Sequence, residues 1–113
     1  MYIIIQVLTN SADLASYVKD ISLQTIWTQN ATNLKSKFNE VFWVESLGMY
    51  RDNDTTTLCP QDANSFAVVF NLTDAAQARS ISAGLLKNWN DLGPIAPELP
   101  DTITPFISGF EVI

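Results

Sequence analysis

Trp27, Ala31, Leu34, Phe38 and Val41 follow one another at intervals of four, three, four and three residues. Those intervals put five apolar side chains on one face of an α-helix. A strand, whose side chains alternate, would scatter them over both faces. Residues 21–46 are therefore predicted to be helical, with Lys35, Lys37 and Asn39 mostly off the stripe. Asp20 can cap that helix, because its side-chain oxygen accepts from the first free backbone N–H groups. Gly48 is a suitable stop.

The rest of the chain reads as further helices and loops. Tyr2-Ile3-Ile4-Ile5 is strand-like on its own, being aromatic and β-branched. Val7, Leu8, Ala12, Leu14, Ala15 and Val18 then continue at helical spacing, so residues 2–18 are read as a helix whose first turn is ambiguous. Residues 48–59 lose the period. Asp52-Asn53-Asp54 is turn chemistry and Thr55-Thr56-Thr57 favours extended backbone, which predicts a loop or small hairpin.

Pro60 marks the next helix start. Ala63, Phe66, Ala67, Val68, Val69 and Phe70 make that helix apolar nearly all round, hence interior, with its end near Asn71. Asp74 with Gln77 three residues on fits a capping box. Ala78, Ile81, Leu85 and Trp89 follow on one face, and Gly93-Pro94 is read as the stop. Pro94, Pro97, Pro100 and Pro105 crowd residues 92–105, which predicts a long ordered loop. Pro105 restarts a helix through Phe106, Ile107, Phe110 and Val112. The fold class is all-α, built of helical hairpins.

Composition narrows the chemistry. A chain of 113 residues, 47% of them hydrophobic, suits one packed domain. It has no histidine, which removes a Ser-His-Asp triad, a Cys-His dyad and most zinc sites, so no metal or cofactor is expected. Cys59 is the single cysteine and cannot form an internal disulfide. The net charge of −6 argues against nucleic acid, whose phosphates call for Lys and Arg. No apolar run is long enough to span a bilayer, and residues 1–5 lack the basic start of a signal peptide.

The blocks Tyr50-Arg51-Asp52-Asn53, Pro60-Gln61-Asp62-Ala63-Asn64-Ser65, Asn88-Trp89-Asn90, Pro97-Glu98-Leu99-Pro100 and Thr104-Pro105-Phe106-Ile107-Ser108-Gly109-Phe110-Glu111 carry a likeness. Through them the chain resembles the fungal α-L-rhamnosidase-like glycosidases of glycoside hydrolase family 78. The likeness runs from about Val7 to Val112, is most specific over Pro97 to Glu111, and departs at Met1 to Ile5. It implies an (α/α)6 toroid of six helical hairpins, inverting hydrolysis of terminal α-L-rhamnose, rhamnosides as the carbohydrate partner and, for the full-length family, secretion. Two carboxyl groups roughly 6.5–9.5 Å apart would flank the bond in such an enzyme.

Twelve helices and their loops need roughly 200 residues. Residues 1–113 can thus be only an incomplete fragment of such a catalytic domain. The resemblance places the acid upstream and the base downstream. No catalytic residue is expected here, and the chain alone should be inactive. Self-association through uncovered apolar hairpin faces is the corresponding expectation. The competing reading is a self-contained helical module that binds carbohydrate or docks a partner without catalysis.

Within the resemblance, Gln61, Asp62 and Asn64 would meet sugar hydroxyls at the open barrel end. Helix capping is the alternative for all three. Glu98, between two prolines, is either a sugar contact or a brace. Glu111, among Phe106, Phe110 and Val112, is either a further contact or a capping or solvated acid. Trp27 and Trp89 lie on apolar stripes and read as core rather than as stacking platforms. Asn30, Asn53 and Asn71 each begin an Asn-X-Thr triplet, the acceptor pattern for N-glycosylation.

Overall fold

A computed structural model describes all residues, 1–113. Helices hold 58% of the chain, in agreement with a mainly α fold. They are α1 (Tyr2–Tyr17), α2 (Ile21–Phe42), α3 (Gln61–Val69), α4 (Ala75–Leu86) and α5 (Pro105–Glu111). Four two-residue strands form two antiparallel hairpins, β1 (Trp43–Val44) with β2 (Met49–Tyr50), and β3 (Trp89–Asn90) with β4 (Gly93–Pro94). The residues form two compact units, 1–41 and 42–113.

The first unit holds α1 and nearly all of α2. Lys19 closes α1 in the left-handed region, at φ 60°. Its N–H bonds to Ser16 O and the Asp20 N–H to Ala15 O, the paired closure of a Schellman motif. Asp20 then turns round to cap α2, its Oδ1 accepting from Leu23 N at 3.0 Å. The cap expected there is present, and one short turn serves both helices. Ile5, Ala12 and Ala15 on α1, and Ala31 and Phe38 on α2, are buried. Ile3, Ile4, Val7, Leu14 and Val18 form a second, exposed apolar stripe along α1.

The second unit is built around α3. Ala63, Phe66 and Ala67 of α3 are buried, as are Ile81 and Leu85 of α4. The Phe66 ring lies 4.7 Å from Phe110 of α5 and stacks on Phe70 at 5.1 Å. Asn71, at φ 57°, ends α3 in another Schellman motif, with Leu72 N bonded to Ala67 O and the Leu72 side chain buried. Asp74 Oδ1 accepts from Ala76 N and Gln77 N at 2.8 Å each. Gln77 Oε1 returns a bond to Asp74 N, completing the expected capping box on α4.

Two boundaries differ from the sequence reading. The helix predicted for 21–46 ends at Phe42, and Trp43-Val44 form a strand. Pairing with Met49-Tyr50 and an edge-on Trp43–Tyr50 ring contact at 5.0 Å outweigh one more helical turn. Gly48 is accordingly no helix stop: it closes the β1–β2 turn at φ +63°. Likewise α4 ends at Leu86, and Gly93-Pro94 is a strand rather than a terminator. Asn90 Oδ1 shapes the second hairpin by accepting from Leu92 N and Gly93 N.

A side chain at Gly48 would meet both a left-handed backbone and the Ser80 hydroxyl. Replacing Gly48 by Val should therefore lower stability by about 2–4 kcal/mol, the sum of conformational strain and overpacking. Urea unfolding followed by circular dichroism measures it, and an unchanged midpoint would contradict the turn described.

Candidate functional site

Pro60 precedes α3 as its N-cap but offers no side-chain acceptor. The first N–H groups of the helix need one from elsewhere. Glu98 supplies it: its Oε2 accepts from Gln61 N at 3.1 Å, across 37 residues of sequence. The carboxylate also sits at the positive end of the helix dipole. The proline-rich loop holds it there through its own bonds, Ala96 N to Thr102 O and Leu99 N to Ala96 O, with Ala96 buried.

The Gln61 side chain is fully buried, and both its ends are engaged. Nε2 donates to Glu111 Oε2 at 2.6 Å, and Oε1 accepts from Thr104 Oγ1 at 3.1 Å. Glu111 Oε1 in turn accepts from Trp89 Nε1 at 2.5 Å. Thus the start of α3, the proline-rich loop, the end of α5 and the β3 hairpin converge on two carboxylates, an amide and an indole. Glu111 costs little in this half-buried place because both oxygens have donors.

Three of the five residues singled out for sugar contact, Gln61, Glu98 and Glu111, are therefore brought together. Asp62 is half-buried in the same first turn and accepts from Ala63 N at 2.6 Å, a capping role. Asn64 does not join them. It is wholly buried, its Oδ1 accepts from Tyr50 N, and its Nδ2 donates to Tyr50 O and Pro60 O. All three bonds go to backbone, and Asn64 serves as a clamp between α3 and β2.

Trp89 also departs from expectation. Read as core, it is 42% exposed, because α4 stops before it and the hairpin turns it outward. Thr104 was not legible as a site residue, since only the tertiary fold brings it to Gln61. Cys59 is half-buried, and burial pushes its thiol pKa up, which suppresses the nucleophilic thiolate. The acceptor asparagines Asn30, Asn53 and Asn71 are all exposed. Asn53 also shapes its loop, its Oδ1 accepting from Thr55 N and Thr55 Oγ1.

The arrangement offers carboxylate acceptors beside a partly exposed aromatic surface, a combination suited to a neutral polyol. Glu98 accepts from the Gln61 backbone and Glu111 from its side chain, so both carboxylates brace the start of α3. No helix is long and apolar enough to cross a membrane. The chain matches no protein-family model, and no curated protein is significantly similar to it.

Proposed function

We propose that this chain is a carbohydrate-contacting part of a glycoside hydrolase of the α-L-rhamnosidase kind, without hydrolytic activity by itself. The observation that carries the reading is the cluster of Glu98, Gln61, Glu111 and Trp89. It coincides with the Pro60–Ser65, Asn88–Asn90, Pro97–Pro100 and Thr104–Glu111 blocks on which the family resemblance rests. The partly exposed indole gives a sugar an apolar surface, and Glu111 fixes its orientation.

The exposed stripe Ile3, Ile4, Val7, Leu14 and Val18 supports the toroid part of the proposal. In a ring of helical hairpins each hairpin packs on its neighbours, so an uncovered apolar stripe is what one pair of the ring would carry. Self-association at raised concentration is the natural consequence for the isolated chain.

The test is direct. Incubation with p-nitrophenyl α-L-rhamnoside should release no p-nitrophenol above the buffer rate. Saturation-transfer NMR should show L-rhamnose bound weakly, with a Kd of about 1 mM or above, as expected for a small polar ligand on a shallow site. Trp89→Ala should weaken that binding by about tenfold, the worth of one ring–sugar contact. Measurable turnover would overturn the missing-carboxylate reading. Absence of any sugar binding would favour a helical partner-docking module.

A further inference from the structure

Of the 16 residues of α1, only Asp13 is charged. Ile5, Ala12 and Ala15 mark the covered side of the helix. On a second side Ile3, Ile4, Val7, Leu14, Tyr17 and Val18 are each between 56 and 80% exposed. A helix that is apolar on two sides calls for cover on both. Charge separates the two units as well. In residues 1–41 Lys19, Lys35 and Lys37 balance Asp13, Asp20 and Glu40, so the whole net charge of −6 lies on residues 42–113.

We infer that α1 pairs, antiparallel and about a two-fold axis, with α1 of a second copy of this chain. The inference rests on this face and not on the sugar-contacting reading. Spacing is the first argument for that occupant. Ile3, Val7, Asn10, Leu14 and Tyr17 recur at four, three, four and three residues, the seam of a two-helix coil. Ile3 and Tyr17 lie seven residues to either side of Asn10, so the seam complements itself when one copy is reversed. Reversal also sets each helix N-terminus beside the other's C-terminus. Asn10 then faces its own copy. Its Oδ1 accepts from Gln6 Nε2 at 2.9 Å and has a second lone pair for the partner's amide. One polar residue in such a seam fixes the register.

Area is the second argument. The six exposed side chains offer roughly 800 Å² per copy, about what each side of a stable interface contributes. Charge is the third. A neutral unit meets its own copy without net repulsion. With no Lys or Arg, α1 has nothing to draw a nucleic acid or an anionic membrane surface.

The experiment is sedimentation velocity of the full chain over a concentration series. It should show a monomer–dimer equilibrium with a Kd below about 100 μM. Leu14→Glu, at an exposed position, should weaken the dimer at least about hundredfold and leave the far-ultraviolet circular dichroism unchanged. Asn10→Asp and Asn10→Lys should each weaken it at least about tenfold, and an equimolar mixture should restore it, because position 10 faces itself. In a Cys59→Ser background, Ile3→Cys mixed with Tyr17→Cys should form a disulfide-linked heterodimer.

A chain that stays monomeric at about 500 μM would overturn the inference. So would a dimer that survives Leu14→Glu, or a mixture of the two Asn10 variants no tighter than its parts. Ready disulfide linkage of Ile3→Cys to itself would contradict the antiparallel pairing. A monomer that binds phosphatidylcholine vesicles would make a lipid surface the occupant instead. Leu14→Glu should leave L-rhamnose binding unchanged, so this interface and the sugar-contacting reading succeed or fail separately.

Discussion

Replacing Asn64 by Ala should remove a large part of the stability of the chain's second unit. Asn64 is fully buried and makes three hydrogen bonds, two of them to the backbone N–H and C=O of Tyr50, itself fully buried. Truncation would leave those two groups, and one of the demands on Pro60 O, without the amide that satisfies them. Each orphaned buried group costs about 1–3 kcal/mol, and a cavity adds to it. The expected loss is therefore about 4–6 kcal/mol. A domain of this size has only roughly 5–15 kcal/mol to lose.

The measurement is a urea titration followed by near-ultraviolet circular dichroism, which reports the Trp43–Tyr50 packing beside the clamp. Asn64→Gln should fare little better, since its longer side chain cannot place the amide against the same backbone pair. Asp62→Ala, one turn edge away and half-exposed, should cost only about 0.5–1 kcal/mol as a lost first-turn acid. If Asn64→Ala and Asp62→Ala lower the midpoint equally, Asn64 is no clamp.

These two neighbours illustrate how far the residues alone could be read. The pattern Pro-Gln-Asp-Ala-Asn placed five residues at a helix start correctly, because proline geometry and first-turn acids act locally. It could not divide them by role. Whether an amide in that turn meets a sugar or a strand depends on β2, fourteen positions earlier, and on Glu98 and Glu111, 37 and 50 positions away.

Local signals elsewhere were equally reliable. Asp20 and Asp74 cap their helices as their chemistry dictates, and Pro105 opens α5. Two-residue strands have no period to detect, so the helix predicted for 21–46 runs on over Trp43 and the stripe of α4 takes in Trp89. Both errors have one cause: a helical register was continued past the point where cross-strand pairing took over. The exposure of Trp89, and with it the character of the candidate site, hangs on that boundary.

Alkaline titration should expose the burial of Tyr50 as a steep loss of stability above about pH 10, where an ordinary phenol ionises. Tyr50 is completely buried, and loss of water around it raises its pKa well above the usual tyrosine range. The negative charge of Asp74 raises it further. The direction fixes the sign. The folded protein keeps this phenol neutral at pH values where the unfolded chain would release its proton.

Stability from this group is thus fully present below the unfolded pKa, and it drains away as pH climbs past that value toward the folded one. Each pH unit inside that window removes about 1.4 kcal/mol. Lysine deprotonation also acts in this range, but it is common to wild type and variant. Urea midpoints for wild type and Tyr50→Phe, measured at unit steps from neutral to strongly alkaline pH, isolate the phenol in their difference. The two curves should run parallel up to about pH 10 and then diverge, with the wild type falling faster. Curves that stay parallel throughout would mean that Tyr50 meets water, and the β1–β2 hairpin would then not be sealed against α3 as described.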